Sequence, residues 1–450
     1  MTREREFRIR KPPVTLAQSQ EPVALESLED YPYKSVALAS TRANLTGLWR
    51  YWRPFYQTKR APCDAACPVG NQVVDYIQTI VEGHWQKAAT VLRSENPLPA
   101  VTGRICHRPC EMSCNRRQYD RRIAIHDIET VLAEIQFETL RFPPIPQPRR
   151  IGVIGSGPAE LAFAFFMALL HHSVTLFETA EALGGRLRVG PQARHLPSGL
   201  LDAEVERIVA DRIVVQHTSV GLEELKTEYD GIFGGLESPE HLVLILPGGE
   251  EDQPLDKPVS FPGVGVNGES QLTSAIRTPL RVSEAIGYGK WVALLLDSYW
   301  RGLNPSDTLS QIQVGGNPRI VSALKYLSLL TDHSLQRSEE VVTYDKLQLD
   351  MLESPPSVDP TLVTEAQGLL TTDWATGDDL QRVLSEAHRC FSCGRCNHCD
   401  NCWIYCPDAV ISRHEGRYEI DYDYCKGCLL CAAVCPRRVI SVIEEEKWSG

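Results

Sequence analysis

Apolar and polar positions sort this chain into a few legible stretches set between irregular ones. The clearest lies at 150–178. Arg150-Ile151-Gly152-Val153-Ile154 is a short apolar run of the kind a buried strand shows, 161–170 is apolar at helical length, and 174–177 repeats the strand pattern. That order predicts a βαβ unit with GSGPAE as its first turn. Upstream, Val74, Ile77, Ile80, Val81 and Trp85 share one face of a helix predicted over 71–92. Ile128, Val131, Leu132, Ile135 and Leu140 predict an amphipathic helix over 127–140. The run Pro143-Pro144-Ile145-Pro146-Gln147-Pro148 predicts a stiff linker and a domain boundary. Downstream, 303–385 carries no legible chemistry, Pro355-Pro356 and Pro360 mark a traversing segment, and 378–388 predicts a short helix. Tyr418-Glu419-Ile420 after His414-Glu415-Gly416-Arg417 predicts a hairpin. Residues 1–60 are irregular, with an aromatic patch at Trp49, Tyr51, Trp52, Phe55 and Tyr56 that is expected to pack on another domain or subunit.

Composition narrows the class. At 450 residues the chain has room for roughly two to four domains. A net charge of −12 argues against a nucleic-acid partner, and the basic start (Arg3, Arg5, Arg8, Arg10, Lys11) reads as a solvated tail. The longest apolar run, 161–170, is too short to span a bilayer, and no apolar core follows the basic start as in a signal peptide. With 15 cysteines and no export signal, metal ligation in a reducing cytoplasm is expected rather than disulfides.

The cysteines are concentrated in two regions. At the C-terminal end, Cys396, Cys399, Cys402 and Cys406 precede Pro407, and Cys425, Cys428, Cys431 and Cys435 precede Pro436. Both runs read C-x2-C-x2-C-x3-C-P, the spacing of a two-cluster bacterial ferredoxin, in which the fourth Cys of each run serves the other run's cluster. One [4Fe-4S] cluster would take Cys396, Cys399, Cys402 and Cys435, and the other Cys425, Cys428, Cys431 and Cys406. Paired C-x2-C motifs also bind zinc, but zinc takes two pairs per ion and does not ask for interleaved runs closed by Cys-Pro. At the N-terminal end, Cys63, Cys67, Cys106, Cys110 and Cys114 suffice for one four-Cys cluster with one thiol left over. A second cluster there would need non-Cys ligands or cysteines from elsewhere, and a zinc site or plain buried thiols is the competing reading. Cys390 and Cys393, in RCFSCGRC, would either ligate another cluster or cap the fold.

The turn at 155–160 has the context of a dinucleotide fingerprint. Its glycines let the backbone approach a pyrophosphate at a helix N-terminus, and Glu178 at the end of the second strand is placed for a ribose hydroxyl. The third glycine position, however, is Glu160, a carboxylate close to where a pyrophosphate would lie. No nucleophile–base pattern is present. His107 and His398, inside Cys loops, read as cluster surroundings, and His171-His172 reads as a solvated helix end.

Together these motifs resemble the small (beta) subunit of glutamate synthase and its relatives. The likeness rests on CxxxCP with ENPLPAVTGRICHRPCEMSC, on GSGPAELAFAFFMALLHHSVTLFE with the Gly184-Gly185-Arg186-Leu187 turn, and on LPSGLLDAEVERI, YDGIF and AIGYGKWVALLLDSYWRG. The tail EAHRCFSCGRCNHCDNCWIYCPDAVI is similar to the branch with a C-terminal ferredoxin. That branch includes the NAD(P)H:acceptor oxidoreductase associated with dissimilatory sulfite reductase and ferredoxin-fused 2-oxoacid oxidoreductase subunits. The resemblance implies a multidomain α/β chain: an extended segment (1–60), a helical Fe–S domain (61–142), a Rossmann-like FAD-type domain (149–302), a connecting segment (303–385) and an α+β two-cluster ferredoxin domain (386–446). It implies FAD contacts at Gly155, Gly157, Pro158, Glu178, Gly184, Gly185, Arg186, Leu187 and Glu269.

Departures from the family pattern qualify that expectation. Only about thirty residues separate Phe233 from Gly263, far short of the family's inserted NAD(P)H domain, so no NAD(P)H site is expected. Glu160, Gly234-Gly235-Leu236 and Gly268-Glu269 each depart from the FAD pattern. Thr102 stands where the family has a Cys, and the upstream Cys pair of its two-cluster members is absent. One N-terminal [4Fe-4S] cluster is therefore expected, on Cys67, Cys106, Cys110 and one of Cys63 or Cys114. The reading is an electron-transfer subunit of a cytoplasmic oxidoreductase complex, with FAD retained between the clusters. Its partners would be other subunits, of a 2-oxoacid oxidoreductase or similar reductase, and soluble ferredoxin. A flavin-free Fe–S scaffold is the alternative, and a self-sufficient NAD(P)H-dependent oxidoreductase a third reading.

Overall fold

A computed structural model describes residues 45–189, 193–235, 241–245, 265–267, 271–273, 276–277, 281–331, 337–352, 360–371, 375–414 and 417–448. Glu269 and the Gly268 before it lie outside the described residues. The chain divides into two compact units: one comprises Gln57–Cys399 and Pro436–Val439, the other the residues up to Tyr56, Asp400–Cys435 and those from Ile440 on. The N-terminal helices, the βαβ region and 303–385 thus share one unit, and the C-terminal cysteine array is divided after Cys399.

The larger unit centres on a six-stranded sheet ordered Ile276–Arg277, His241–Ile245, Gly231–Gly235, Arg150–Ile154, Ser173–Phe177, Ile213–Gln216. The last four strands are parallel, and the first two run antiparallel to their neighbours. Successive parallel strands spread one way from Arg150–Ile154 and then return to its other side at Gly231–Gly235, which creates a topological switch point at its C-terminal end. The turn after Ile154 and Glu178 after Phe177 both lie at that edge. Gly234, at φ +144°, is required there, since a Cβ would stand 2.1 Å from the Ile154 carbonyl oxygen.

The helix Pro158–Leu169 is apolar nearly all round because it is buried between the sheet and the long helix Val282–Trp300. Burying Phe163 and Phe166 contributes about 1.5–3 kcal/mol each. Close crossing is made possible by glycine: Gly289 faces the Ala159 carbonyl and Gly287 the Pro68 carbonyl, each with no room for a Cβ. The Val282–Trp300 helix therefore touches both the Pro158–Leu169 helix and the Cys67-Pro68 loop.

Three sequence readings are corrected. The helix expected over 71–92 is two, Val73–Val81 and Trp85–Glu95, because Gly83 takes φ +82° between them. The helix expected over 127–140 is Ile125–Leu132; past it, Ile135 bridges Leu370 and the Gln136 N–H donates to the Leu369 carbonyl at 2.9 Å. His172 is not at a solvated helix end. Its ring is buried 3.0 Å from Asp297, which also accepts from Tyr326 and Arg301. The hairpin is present as Ile411–His414 with Arg417–Ile420, and the 378–388 helix as Gly377–His388. The 143–148 run is packed in place, with Arg301 donating to the Pro143 and Pro144 carbonyls and Ile145 buried.

In the smaller unit, the strand Trp52–Tyr56 pairs antiparallel with Ile440–Glu444. Phe55 and Trp448 rings lie 4.9 Å apart. Trp49 and Tyr51 of the aromatic patch are exposed. Among the described residues no helix is long and apolar enough to cross a membrane.

Candidate metal centres and nucleotide turn

No disulfide joins any of the 15 cysteines. In the larger unit they fall into two groups. The first gathers Cys67, which ends the helix Pro62–Ala66, Cys106, which ends Pro99–Ile105, and Cys110 within Pro109–Met112. Burial pushes the Cys67 thiol up to about 12, and the neighbouring charges of Glu129 and Cys106 push the same way. Burial also raises Cys110, with Glu129, Cys67 and Cys106 adding to it. Glu129 is the residue the sequence reading missed. It is buried on the inner face of Ile125–Leu132, its pKa is pushed up to about 7 by burial, and its Oε1 accepts from Asn71 and Tyr76, both at 2.9 Å. An acid inside an apolar helical stripe (Ile125, Ile128, Val131, Leu132) was the signal available.

Cys63 and Cys114, either of which was expected to complete that group, pack in or against the core that also holds Cys110, together with Cys390 and Cys393. Cys63 is raised by burial first, then by Asp64, Cys114, Cys390 and Cys393. Burial raises Cys390 to about 12, and Cys114 adds to it. Among the described residues no group of three or more His, Cys, Asp or Glu side chains is arranged to hold a metal ion. A cubane differs from a single ion in that its ligands sit at the corners of the volume it fills. Iron would also reverse the cost of ionising such thiols, because a bound cation deprotonates its thiol ligands.

In the smaller unit, Cys406, Cys425, Cys428 and Cys431 line one small cavity of about 20 Å³, together with Pro54 and Pro407. Those four are the set that the interleaved spacing assigns to one cluster. Gly427, at φ +70°, lets this loop lie on the strand Trp52–Tyr56, where a Cβ would stand 2.2 Å from the Trp52 carbonyl. Arg50 Nη1 donates to the Cys425 carbonyl at 2.9 Å, and the Tyr56 hydroxyl to Cys402 Sγ at 3.3 Å. Cys402 and Cys435 also belong to this unit, whereas Cys396 and Cys399 belong to the larger one.

The nucleotide turn has the expected backbone. Gly155 takes φ +94°, its N–H donates to Phe177, and Gly157 with Pro158 opens the helix. Glu178 accepts from Ser156 Oγ at 2.6 Å and from the Ala180 N–H at 3.1 Å. The Gly184 N–H donates to the same serine oxygen at 3.0 Å, and Gly185 approaches Gly157 closely, so the 184–187 turn packs on the 155–158 turn. Leu187 is buried and Arg186 exposed beside it. The occupant is the surprise: the Glu160 carboxylate folds back over Gly157, buried, its pKa pushed up to about 7 by burial and by the charge of Glu178.

Residues 55–140 match the family model of dihydropyrimidine dehydrogenase domain II, 4Fe-4S cluster, and residues 418–441 that of a 4Fe-4S binding domain. The chain is a homologue of the glutamate synthase small chain and kindred oxidoreductase subunits. It is 32% identical over 177 residues to the glutamate synthase [NADPH] small chain of Bacillus subtilis, covering 37% of this chain and 36% of that one. Similarity extends to the NADP(+)-dependent formate dehydrogenase subunit beta of Moorella thermoacetica, 29% over 230 residues, 44% of this chain and 31% of the relative. The NADPH-Fe(3+) oxidoreductase subunit beta of Geobacter sulfurreducens is 30% identical over 190 residues, 40% of this chain and 28% of the relative. The chain thus spans about a third of the length of these relatives. It is a mixed α/β protein with 4Fe-4S binding domains in its N-terminal and C-terminal regions.

Proposed function

We propose that this chain is an electron-transfer subunit of an oxidoreductase complex, passing electrons between [4Fe-4S] clusters and a partner that holds the substrate. The observation that carries the reading is the cavity shared by Cys406, Cys425, Cys428 and Cys431, because interleaved ferredoxin spacing calls for that partition. In the N-terminal region, Cys67, Cys106 and Cys110 would hold a further cluster with Glu129 as the fourth ligand. Asn71 and Tyr76 orient that carboxylate as second-layer donors orient other metal ligands. Bound clusters supply one-electron transfer. The protein contributes burial, N–H and O–H donors to sulfur such as Tyr56 on Cys402, and the charge that sets potentials. The partner would be the catalytic subunit of a 2-oxoacid oxidoreductase or similar reductase, and soluble ferredoxin a further electron carrier.

For the flavin, one observation favours the second reading. The fingerprint keeps Gly157 bare so that a pyrophosphate can approach, and that space is taken by Glu160. Gly155, Glu178 and the 184–187 turn fit FAD; the Gly157 face does not. A flavin-free wiring subunit accords with this arrangement. Anaerobically purified chain tests both readings. Iron and acid-labile sulfide with no acid-released flavin supports the flavin-free wire. One FAD per chain restores the flavin-containing reading, and absence of iron removes both.

A further inference from the structure

We infer that Cys63, Cys114, Cys390 and Cys393 together hold a separate cluster of the [4Fe-4S] class. The inference rests on the iron–sulfur reading above and adds a site to it. The four come from three stretches of chain: the helix Pro62–Ala66, the segment after Pro109–Met112, and the C-x2-C loop after Gly377–His388. Cys63 and Cys393 lie in one apolar core with Cys110, and Cys114 and Cys390 pack against it.

Polar contacts lock the late pair onto the early one. Asn115, next to Cys114, donates from Nδ2 to Cys393 Sγ at 3.3 Å and to the Val342 carbonyl at 2.8 Å. Arg116 donates to the Arg389 carbonyl at 2.9 Å and lies 4.6 Å over the Phe391 ring. On the other side, Asp64 beside Cys63 is 3.9 Å from Arg395, two residues past Cys393. The Ser392 N–H points at Cys390 Sγ from 3.4 Å. Donors of this kind, aimed at sulfur, are what stabilise a thiolate-bound cluster.

Charge supplies an independent observation. Arg437 is only 7% exposed, and its Nε and Nη1 have no hydrogen-bond partner. It lines the same cavity as Cys390. Two buried guanidinium nitrogens without partners are costly unless an anion faces them. A cubane on four thiolates is such an anion. As packing residues alone, four neutral thiols leave both the cation and the sulfur-directed donors unexplained. A cavity of about 260 Å³, lined in part by Arg116, Tyr119, Cys390 and Arg437, adjoins the group and gives one edge of it access to solvent.

The test uses the full-length chain, isolated or reconstituted anaerobically with ferrous iron and sulfide. Iron, sulfide and the EPR spectrum after dithionite are the readouts. The double variant Cys390→Ser/Cys393→Ser should lose one cluster's worth of iron and sulfide and one EPR signal. Cys114→Ser, changed outside that loop, should lose the same signal, and Cys67→Ser a different one. A double variant that keeps the parent's iron and spectrum overturns the site. A parent chain without iron points instead to failure of the broader reading. Should the variants not fold, an iron-edge anomalous map of parent crystals decides. Density among these four sulfurs supports the site, and density only at the other cysteine groups rejects it.

Discussion

Oε2 of Glu160 lies 2.6 Å from the point a Cβ would occupy on Gly157. The acid at the third position of the turn thus fills the face left bare by the glycine at the second. Removing it with Glu160→Ala should raise FAD affinity at least about tenfold, ~1.4 kcal/mol. Flavin fluorescence on titration would measure it. An unchanged affinity would show that something other than this carboxylate closes the turn.

The same side chain makes stability depend on pH. Its pKa is near 4.5 when unfolded and about 7 when buried, so the folded chain binds more protons in between. Its stabilising contribution is full below about pH 4.5 and is lost as pH rises through about 7. Denaturant midpoints of the metal-free chain should fall across that window, and Glu160→Gln should flatten the fall. Equal slopes in both proteins would place the titration elsewhere.

Lys290 and Glu95 form a fully buried ion pair at 2.6 Å, and Glu95 also accepts from Ser322 and the Ala323 and Leu324 N–H groups. Lys290→Met would strand that carboxylate in the core and should cost about 3–5 kcal/mol in urea unfolding. A loss below about 1 kcal/mol would mean the carboxylate is rescued by its other donors.

Much of this was legible in local pattern and some was not. The 150–177 unit, the hairpin and the Gly377–His388 helix were readable because strand and helix periods are local. The glycine turn at 155–158 was readable for the same reason. Glu129, Lys290 and the Asp297 partner of His172 were not, because a buried charge is explained by residues that the fold, not the period, brings to it. Ile135 leaves its helix for a bridge to Leu370, a contact no window around Ile135 contains. Cys390 and Cys393 show the same limit: their spacing left open whether they ligate a cluster or cap the fold, and did not show that they share a core with Cys63 and Cys114.

Gly287 is the contact through which the Val282–Trp300 helix reaches the Cys67-Pro68 loop, with the Pro68 oxygen 2.1 Å from where its Cβ would be. Gly287→Ala should cost roughly 1–3 kcal/mol by overpacking. It should also reduce the iron held by the Cys67 group, while the cysteines of the smaller unit keep theirs. Iron counts and EPR on the variant check this, and a uniform loss of all clusters would indicate general unfolding instead.

Within the smaller unit, Cys406 and Cys428 belong to different runs but line the same cavity. Cys406→Ser and Cys428→Ser should therefore remove one and the same EPR signal, and the double variant should lose no more iron than either single. Additive losses would mean that the runs do not interleave.

Arg395 donates from Nη1 to the Lys59 carbonyl at 3.1 Å, across 336 positions of sequence. The ribosome delivers the chain from one end only, at roughly 5–20 residues per second. Cys63 and Cys114 therefore emerge on the order of half a minute before Cys390 and Cys393 reach them, whereas Cys67, Cys106 and Cys110 have Glu129 beside them almost at once. Two neighbouring thiol groups are thus on different clocks. One can be completed on the nascent chain, and the other only when synthesis is nearly done. A transcript cut short before codon 390 would yield a product with the first group whole and the second open on one side.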